Sequence, residues 1–432
     1  MNSNQVDQIR IVNKEGTGIG DAELFEALRQ LLSSYKGRLQ KVLLLPPDHT
    51  RMHSGAGKIT AYIYSQLEES CEVDIMPALG THAPMGDREL TAMFGVGTPR
   101  SAFLTHNWRS DTEDIGEVPG SFVSEVSEGL VDYPIRVMVN KRLLNHEYNL
   151  ILSIGQVVPH EVVGMANYSK NILVGCGGTD MINKSHMLGA VYGMERMMGR
   201  ADTPVRRVFD YAEGKYLQGI PLIYILTVAV QREGQTCIHG LFAGRGRGLF
   251  DEAAALSREV NISFADKPLS KVVVYLDPNE FKSTWLGNKA IYRTRMAIAD
   301  GGELIILAPG VERFGEDRAI DRLIRKYGYT GRDKILKYYK ENKDLQENLS
   351  AAAHLIHGSS DGRFSICYAA GGLSREEVEG VNFDFIPYDE AAARYNPAAL
   401  NEGYNTLDNG EVVYYISNPA TGLWALRDSI QA

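Results

Sequence analysis

The segment from His160 to His186 concentrates reactive side chains in otherwise apolar, glycine-rich sequence. Lys170 follows His160 by ten residues, and His186 follows Lys170 by another 16. An imidazole can accept a proton or bind a metal, and an amine can form a covalent bond. No acidic residue lies nearer to Lys170 in the sequence than Glu161. The lysine therefore either extends to solvent or has a lowered pKa suited to covalent chemistry.

Groups that could bind an anion follow the apolar segment KVLLLPP at residues 41–47. Asp48, Thr50 and Arg51 come next, and Ser54 begins a stretch that contains two glycines. An arginine binds a carboxylate or phosphate through two parallel hydrogen bonds, and hydroxyls with glycine-rich backbone can hold an anion at a helix start. The alternative is a surface turn closed by an Asp48–Arg51 ion pair.

A third histidine stands at the end of another apolar segment, CEVDIMPALG at residues 71–80. His82 follows Gly80 and Thr81, where a ligand could approach the backbone closely. Such a histidine suits acid–base chemistry near neutral pH. Alone it would more often be structural, so its interest comes from the other reactive groups.

The C-terminal half offers polar and aromatic groups after the segment KVVVYLDP at residues 271–278. Trp285, Asn288 and Lys289 are followed by Arg293, which shares a helix face with Lys289 four residues earlier. These side chains could bind an anionic substrate, and Trp108 could contact it as well. An ordinary solvated basic face is the alternative.

The rhythm of apolar and amphipathic segments predicts an α/β protein with mainly parallel sheets flanked by helices. Buried strands are expected at residues 41–47, 148–155, 271–278, 302–310 and 363–370, and helices at 59–70, 87–95, 289–300 and 316–328. The polar segment SFADKPLSK indicates a boundary between domains 1–266 and 267–432. The last segment, TGLWALRDSIQA, is expected to be an amphipathic helix that packs on either domain.

Composition narrows the class of protein. The 432 residues have a formal net charge of −9, which argues against a nucleic-acid partner. The four cysteines form no CxxC pair, so they are expected to be reduced thiols and not zinc-ribbon or thioredoxin sites. No signal peptide and no apolar run of bilayer length are evident. We expect a cytoplasmic protein with no membrane partner, and a homo-oligomer remains open.

The sequence also leaves three alternative functions: a dehydrogenase, a zinc hydrolase and a non-catalytic ligand-binding protein. Neither GTGIGD at residues 16–21 nor GCGG at 175–178 is a dinucleotide fingerprint, which disfavours a nicotinamide-dependent 2-hydroxyacid dehydrogenase. The histidine spacings include no HxxxH or HxH pair, which disfavours a zinc hydrolase. A non-catalytic α/β ligand-binding protein would leave Lys170 unmodified.

The ordered set of Asp48, Arg51, His82, His160 and Lys170 with His186 resembles the nickel-pincer-nucleotide lactate racemase family. The resemblance covers most of the N-terminal part, and the His–Lys–His spacing is its specific feature. It implies two α/β domains with an active site in the cleft between them, and a nickel pincer nucleotide made by cofactor-synthesis proteins. Where the family usually has Ser-Gly-Gly before the lysine, this chain has Ala166-Asn167-Tyr168.

The resemblance also implies roles for individual residues. Lys170 would carry the cofactor, His186 would bind nickel, and His82 and His160 would be the paired acid–base residues. Asp48, Thr50, Arg51 and Ser54 would lie around the cofactor, with Arg51 on its phosphate or on the substrate carboxylate. The implied reaction is inversion of C2 of a 2-hydroxy acid by transient hydride transfer to the cofactor. The substrate candidates include bulky and polar side chains, which favour a sugar acid such as gluconate or mannonate: Trp108, Trp285, Asn288 and Arg293.

Overall fold

Two six-stranded sheets organise the described chain, one in each of the two units into which it divides. The structure is a computed structural model that describes residues 8–232, 235–420 and 422–430. The first unit runs to Ser185 and resumes at Gly199–Asn261, and the second comprises His186–Met198 and the chain from Ile262 onward. The predicted boundary after residue 266 stays a prediction.

The first unit contains ten described strands and seven helices, the fifth of which continues into the second unit. The strands are β1 Ile9–Val12, β2 Lys41–Leu45, β3 Glu72–Ile75, β4 Thr112–Val118, β5 Ile135–Asn140, β6 Leu150–Gln156, β7 Pro159–His160, β8 Gly164–Met165, β9 Leu222–Arg232 and β10 Gln235–Gly244. The helices are α1 Asp21–Ser33, α2 Ala56–Leu67, α3 Asp87–Phe94, α4 Gly120–Val126, α5 Thr179–Tyr192, α6 Pro204–Tyr216 and α7 Arg247–Asn261.

The main sheet of the first unit has the strand order β1-β10-β9-β6-β2-β3. β3, β2, β6 and β9 are parallel to one another, whereas β10 pairs antiparallel with β9, and β1 pairs antiparallel with β10. Leu44 and Ile154 of this sheet pack with Leu28 of α1 and Ile63 of α2 in one core. β2 can be apolar along almost its whole length because both of its faces are buried.

The second unit contains eight described strands and eight helices of its own. The strands are β11 Ile262–Ala265, β12 Leu269–Tyr275, β13 Ile298–Ala308, β14 Ser365–Ala370, β15 Asp384–Phe385, β16 Gly403–Thr406, β17 Val412–Ile416 and β18 Leu423–Leu426. The helices are α8 Thr284–Gly287, α9 Lys289–Thr294, α10 Arg318–Tyr327, α11 Arg332–Glu341, α12 Lys343–Gln346, α13 Leu349–His357, α14 Arg375–Gly380 and α15 Tyr388–Arg394. Its sheet has the order β15-β14-β13-β12-β17-β16, parallel except between β16 and β17.

The predicted α/β class with mainly parallel sheets is confirmed, but two local predictions were wrong. The expected final helix is instead β18, which pairs in parallel with β11 in the second unit, followed by the 3₁₀ turn Arg427–Ser429. The helix expected at residues 289–300 ends at Thr294, because β13 already begins at Ile298. Among the described residues, no helix combines the length and apolarity needed to cross a membrane.

Candidate functional site

The reactive groups of the first unit follow the carboxyl ends of three neighbouring parallel strands. Asp48 comes after β2, His82 comes after β3, and the segment with His160 and Lys170 comes after β6. Since β6, β2 and β3 are adjacent and parallel, these ends lie at one edge of the sheet. This edge is where α/β sheets usually bind ligands.

Asp48 and His82 form a directly hydrogen-bonded pair, in which the Nδ1–H of His82 donates to Asp48 Oδ2. The Asp48 carboxylate is buried and also accepts hydrogen bonds from the backbone N–H and the hydroxyl of Thr50. Burial by itself would raise the pKa of Asp48. The bonds and charge of His82, with the Thr50 hydrogen bond and the charge of Arg51, outweigh burial and hold the pKa at about 2. Asp48 is therefore ionised at neutral pH.

The loop after β2 contains a short helix and a buried side-chain hydrogen bond. Residues His49–Ser54 form a 3₁₀ helix, and Ser54 is buried with its Oγ accepting the N–H of Ala56 at 3.1 Å. Gly55 has a φ of 74°, and a Cβ there would lie 2.6 Å from Ile238 Cδ1. Thr50 is exposed, and Arg51 is half-buried. The predicted cofactor contacts of Thr50, Arg51 and Ser54 stay predictions.

His160 is buried at the end of β7, and its Nδ1 accepts the backbone N–H of Val162 at 3.1 Å. Glu161 Oε2 lies 3.7 Å from the same nitrogen. In the neutral ring, Nδ1 is therefore the acceptor and Nε2 carries the hydrogen. His82 has the opposite arrangement, since its Nδ1–H donates to Asp48 and leaves Nε2 as the acceptor. In their neutral forms, His82 can therefore accept a proton at Nε2, and His160 can donate a hydrogen bond from Nε2.

Lys170 is held in place by its neighbours on a π-helical turn, Asn171–Gly175. The Asn171 side chain donates from Nδ2 to Leu45 O at 3.0 Å and to Ser153 Oγ at 2.9 Å, which ties the turn to β2 and β6. Gly80 N donates to Gly175 O at 2.9 Å and ties it to the loop that carries His82. π-helical turns are rare and often occur at functional sites.

The Lys170 side chain is half-buried, and no hydrogen bond or ion pair of its amine is present among the described residues. Burial is the main cause that lowers the pKa of Lys170 from 10.5 to about 8. The positive charges of Arg51 and Arg206 act in the same direction, and Glu161 and Asp48 oppose them. At pH 7 about a tenth of the amine is then neutral, against almost none for an ordinary lysine. Of the two interpretations of Lys170 from sequence, the lowered pKa is the one supported.

His186 lies on α5, seven residues after its first residue Thr179. Within the described part of the chain, no three His, Cys, Asp or Glu side chains come together as a metal centre. The predicted role of His186 as the single protein ligand of nickel stays a prediction. The four cysteines are free thiols, as expected, and Cys176 and Cys237 are buried.

The candidate substrate residues differ in exposure. Asn288 and Arg293 are almost fully buried in the second unit, where Tyr368 Oη donates to Asn288 Oδ1 at 3.5 Å. Trp285 and Lys289 are half-buried, and the Trp285 ring stacks on His354 at 4.2 Å. Trp108, in the first unit, is half-buried under the guanidinium of Arg109 at 3.8 Å. Their predicted contacts with substrate stay predictions.

Sequence reasoning missed Arg206, a fully buried residue of α6 that hydrogen-bonds to the turn before Lys170. Its position shortly after the start of a helix is common for a surface arginine, so the sequence alone gives little signal. The one indication was its place in an amphipathic helix beside apolar Val205 and Phe209. The sequence also assigned Asp48 to the cofactor and did not foresee its bond to His82.

Comparison with known proteins agrees with this picture. Residues 22–198 match the family of the lactate racemase N-terminal domain, which confirms the resemblance drawn from the sequence. A Thermotoga maritima protein solved by structural genomics has a TM-score of 0.80 at 24% identity, over 96% of this chain and 100% of that one. The lactate racemase apoprotein from Thermoanaerobacterium thermosaccharolyticum has a TM-score of 0.68 at 18% identity, over 91% and 88%. These TM-scores establish a shared fold. No curated protein sequence matches the chain.

Proposed function

We propose that this chain, in which residues 22–198 match the lactate racemase N-terminal domain, is an isomerase that inverts C2 of a 2-hydroxy acid. The observation that carries the proposal is the grouping at one sheet edge of the Asp48–His82 pair, His160 and the Lys170 amine. An acid, a base and a nucleophilic amine are what such a reaction requires of the protein.

The two histidines supply the proton transfers. His82, with Nδ1–H held by the ionised Asp48, presents Nε2 as the base for the substrate hydroxyl. His160, whose Nδ1 accepts the Val162 N–H in the neutral ring, would donate a hydrogen bond from Nε2–H to the substrate oxygen and would act as the acid once it is protonated to the imidazolium. For either enantiomer, the neutral histidine would take the hydroxyl proton as hydride leaves C2, and the other histidine, protonated, would give its own proton to the oxygen when hydride returns to the opposite face. After a turnover in one direction, the two rings are prepared for the reverse direction.

Lys170 fits a covalently tethered cofactor because its amine has a lowered pKa and makes no hydrogen bond among the described residues. When bound there, a nickel pincer nucleotide would supply a reversible acceptor for the C2 hydride. His186 would be the protein ligand of nickel, so the remaining ligands would belong to the cofactor itself. Arg51 would hold the cofactor phosphate or the substrate carboxylate, with Thr50 and Ser54 alongside.

A sugar acid such as gluconate or mannonate is the substrate we favour, and its proposed contacts are Trp108, Trp285, Asn288, Lys289 and Arg293. Large and polar side chains suit a long, hydroxylated acid better than lactate, whose only substituent beyond the hydroxy acid group is a methyl. Cofactor-synthesis proteins would be the partners that load Lys170.

The test is C2 inversion of D-gluconate, D-mannonate, malate and lactate by nickel-loaded protein produced together with cofactor-synthesis proteins. We expect inversion of a sugar acid, and fastest turnover of lactate would contradict the preferred substrate. Intact mass should show an adduct in the wild type and none in Lys170→Ala. An unmodified Lys170 in active protein, or oxidation of the acids that depends on nicotinamide, would refute the mechanism.

Variants of the two histidines test the assigned acid–base roles. His82→Gln and His160→Gln should each lower turnover about 10²–10⁴-fold without loss of the adduct. The matched control is His146→Gln, which changes an exposed histidine with no assigned role and should leave turnover unchanged. Near-normal turnover in either active-site variant would remove that histidine from the mechanism.

A further inference from the structure

The backbone just before Lys170 adopts an unusual conformation. Asn167 has a φ of 63° and Tyr168 a φ of 57°, so two consecutive residues with side chains lie in the left-handed region. Residues other than glycine rarely adopt this conformation and do so only where surrounding structure imposes it. Something in the fold must therefore hold this turn, and with it the residue that follows.

The guanidinium of Arg206 makes the contacts that hold it. Nη1 donates to Ser169 Oγ at 2.7 Å, and Nη2 donates to Met165 O at 2.7 Å and to Asn167 O at 3.1 Å. All the hydrogen bonds of this guanidinium among the described residues thus end on the turn Met165–Ser169, immediately before Lys170. A planar, rigid group of donors can connect three such acceptors, whereas a lysine offers one ammonium.

Packing against aromatic rings holds the Arg206 side chain in place. Arg206 is fully buried, and its guanidinium lies 4.3 Å from the ring centre of Phe250. The Tyr168 ring packs between Tyr224, at 4.3 Å, and Phe250, at 5.2 Å. The side chain that stands where the family usually has glycine therefore points into the core of the first unit, against the group that holds the turn.

Hydrogen bonds also fix the backbone at Arg206. Thr203 caps the N-terminus of α6: its side chain accepts the backbone N–H of Arg206 at 3.1 Å and donates to Val163 O at 3.1 Å. Gly199 N donates to Gly164 O at 3.0 Å. The segment that leads into α6 is thus joined at two points to residues 163–164, just before the turn.

We infer that Arg206 is a positioning residue: by clamping the left-handed turn Met165–Ser169 it fixes the half-buried placement of the Lys170 amine. The inference rests on the proposed function only for the identity of the group that Lys170 binds. Its physical content is that the clamp, and not charge alone, keeps the amine in low-dielectric surroundings beside Arg51, Glu161 and Asp48.

The test measures the Lys170 amine directly in purified, cofactor-free protein. Trace acetic anhydride labels neutral amines, and mass spectrometry compares the Lys170 peptide with that of exposed Lys36 across about pH 6 to 11. In the wild type, labelling of Lys170 should be half-maximal near pH 8. In Arg206→Met the midpoint should rise by about one pH unit or more, since a released turn lets the amine reach water.

Arg206→Lys separates the clamp from the charge. It keeps a cation but cannot bridge three acceptors, so the midpoint should still rise, by less than in Arg206→Met, because only the clamp is lost. Ser169→Ala removes one of the three bonds with little risk to folding and should give a smaller rise. The matched control is Arg245→Met, which removes hydrogen bonds to Leu217 O and Ile220 O, away from the turn, and should leave the profile unchanged.

Midpoints in Arg206→Lys and Ser169→Ala within about 0.3 pH unit of the wild type would overturn the inference, whether or not Arg206→Met folds. A shift of equal size in Arg245→Met would also overturn it, because the effect would then reflect general loosening. The assay needs neither cofactor nor substrate. Failure of the racemase assay with shifted profiles would therefore count against the proposed function, and active protein with unshifted profiles against the clamp.

Discussion

Replacing Asp48 by Asn should destabilise the first unit by about 2 kcal/mol at pH 7. The variant imitates a protonated Asp48, which cannot give full charge-assisted hydrogen bonds to His82 and Thr50. The folded-state pKa of Asp48 lies at about 2 against an ordinary value of 3.8. At about 1.4 kcal/mol per unit of pKa, the difference corresponds to about 2 kcal/mol in favour of the ionised form. The side chain is almost fully buried, so little of this is lost to solvent screening.

The pH dependence has a definite sign. Because the folded-state pKa lies below the unfolded one, the contribution of Asp48 is complete above about pH 5 and is lost as the pH falls towards about 2. The difference in unfolding free energy between wild type and Asp48→Asn should therefore shrink over this range. We would follow urea unfolding by pulsed hydrogen exchange, with peptides of β2 and β6 as reporters of the first unit.

The control is Asp408→Asn, which changes an exposed carboxylate and should alter stability by no more than about 0.5 kcal/mol. Equal unfolding midpoints for wild type and Asp48→Asn at pH 7 would refute the reasoning. A difference that grows as the pH is lowered from 5 to 2 would refute it as well, because the linkage would then have the opposite sign.

Two further predictions concern buried groups near the site. Burial raises the pKa of Glu213 to about 7, so the wild type should lose stability as the pH rises from about 4.5 to 7. Glu213→Gln should therefore be about 2–3 kcal/mol more stable than the wild type at pH 8. Equal midpoints of urea unfolding for the two proteins at pH 8 would contradict this prediction. A Cβ at Gly177 would lie 1.8 Å from Leu173 O, so Gly177→Ala should lower the free energy of unfolding by about 3 kcal/mol or more. Gly214 is an exposed helical residue with open space around it, so Gly214→Ala should raise the free energy of unfolding by about 0.5–1 kcal/mol. Thermal unfolding of both variants tests these two expectations.

Much of the fold could be read from the chain because the signals are local. The run Lys41–Leu45 is apolar because both faces of its sheet are covered, and it was correctly assigned as a buried strand. The final segment was assigned wrongly for the complementary reason. Leu423–Leu426 has spacing that suits a helix, but pairing with Ile262–Ala265, more than 150 residues earlier, makes it a strand. Pairing over such a sequence distance leaves no local pattern.

For the site as well, some features were evident from the sequence and others were not. The identity and order of His82, His160 and Lys170 were evident from the sequence, as was their place after strand ends, because these are properties of residue type and position. The left-handed turn before Lys170 was not, since Asn167 and Tyr168 carry no sign of positive φ. The arginine that holds this turn lies on a helix beginning more than 30 residues later.

The sequence by itself therefore determined which chemical groups the protein has and at which ends of its strands they stand. Only the tertiary structure decided their protonation. Asp48 directs the Nδ1 hydrogen of His82, a backbone N–H fixes the opposite form of His160, and burial lowers the pKa of Lys170. The position and affinity of a proton depend on neighbouring charges, hydrogen bonds and access to water, and for these residues several of those neighbours come from distant parts of the chain.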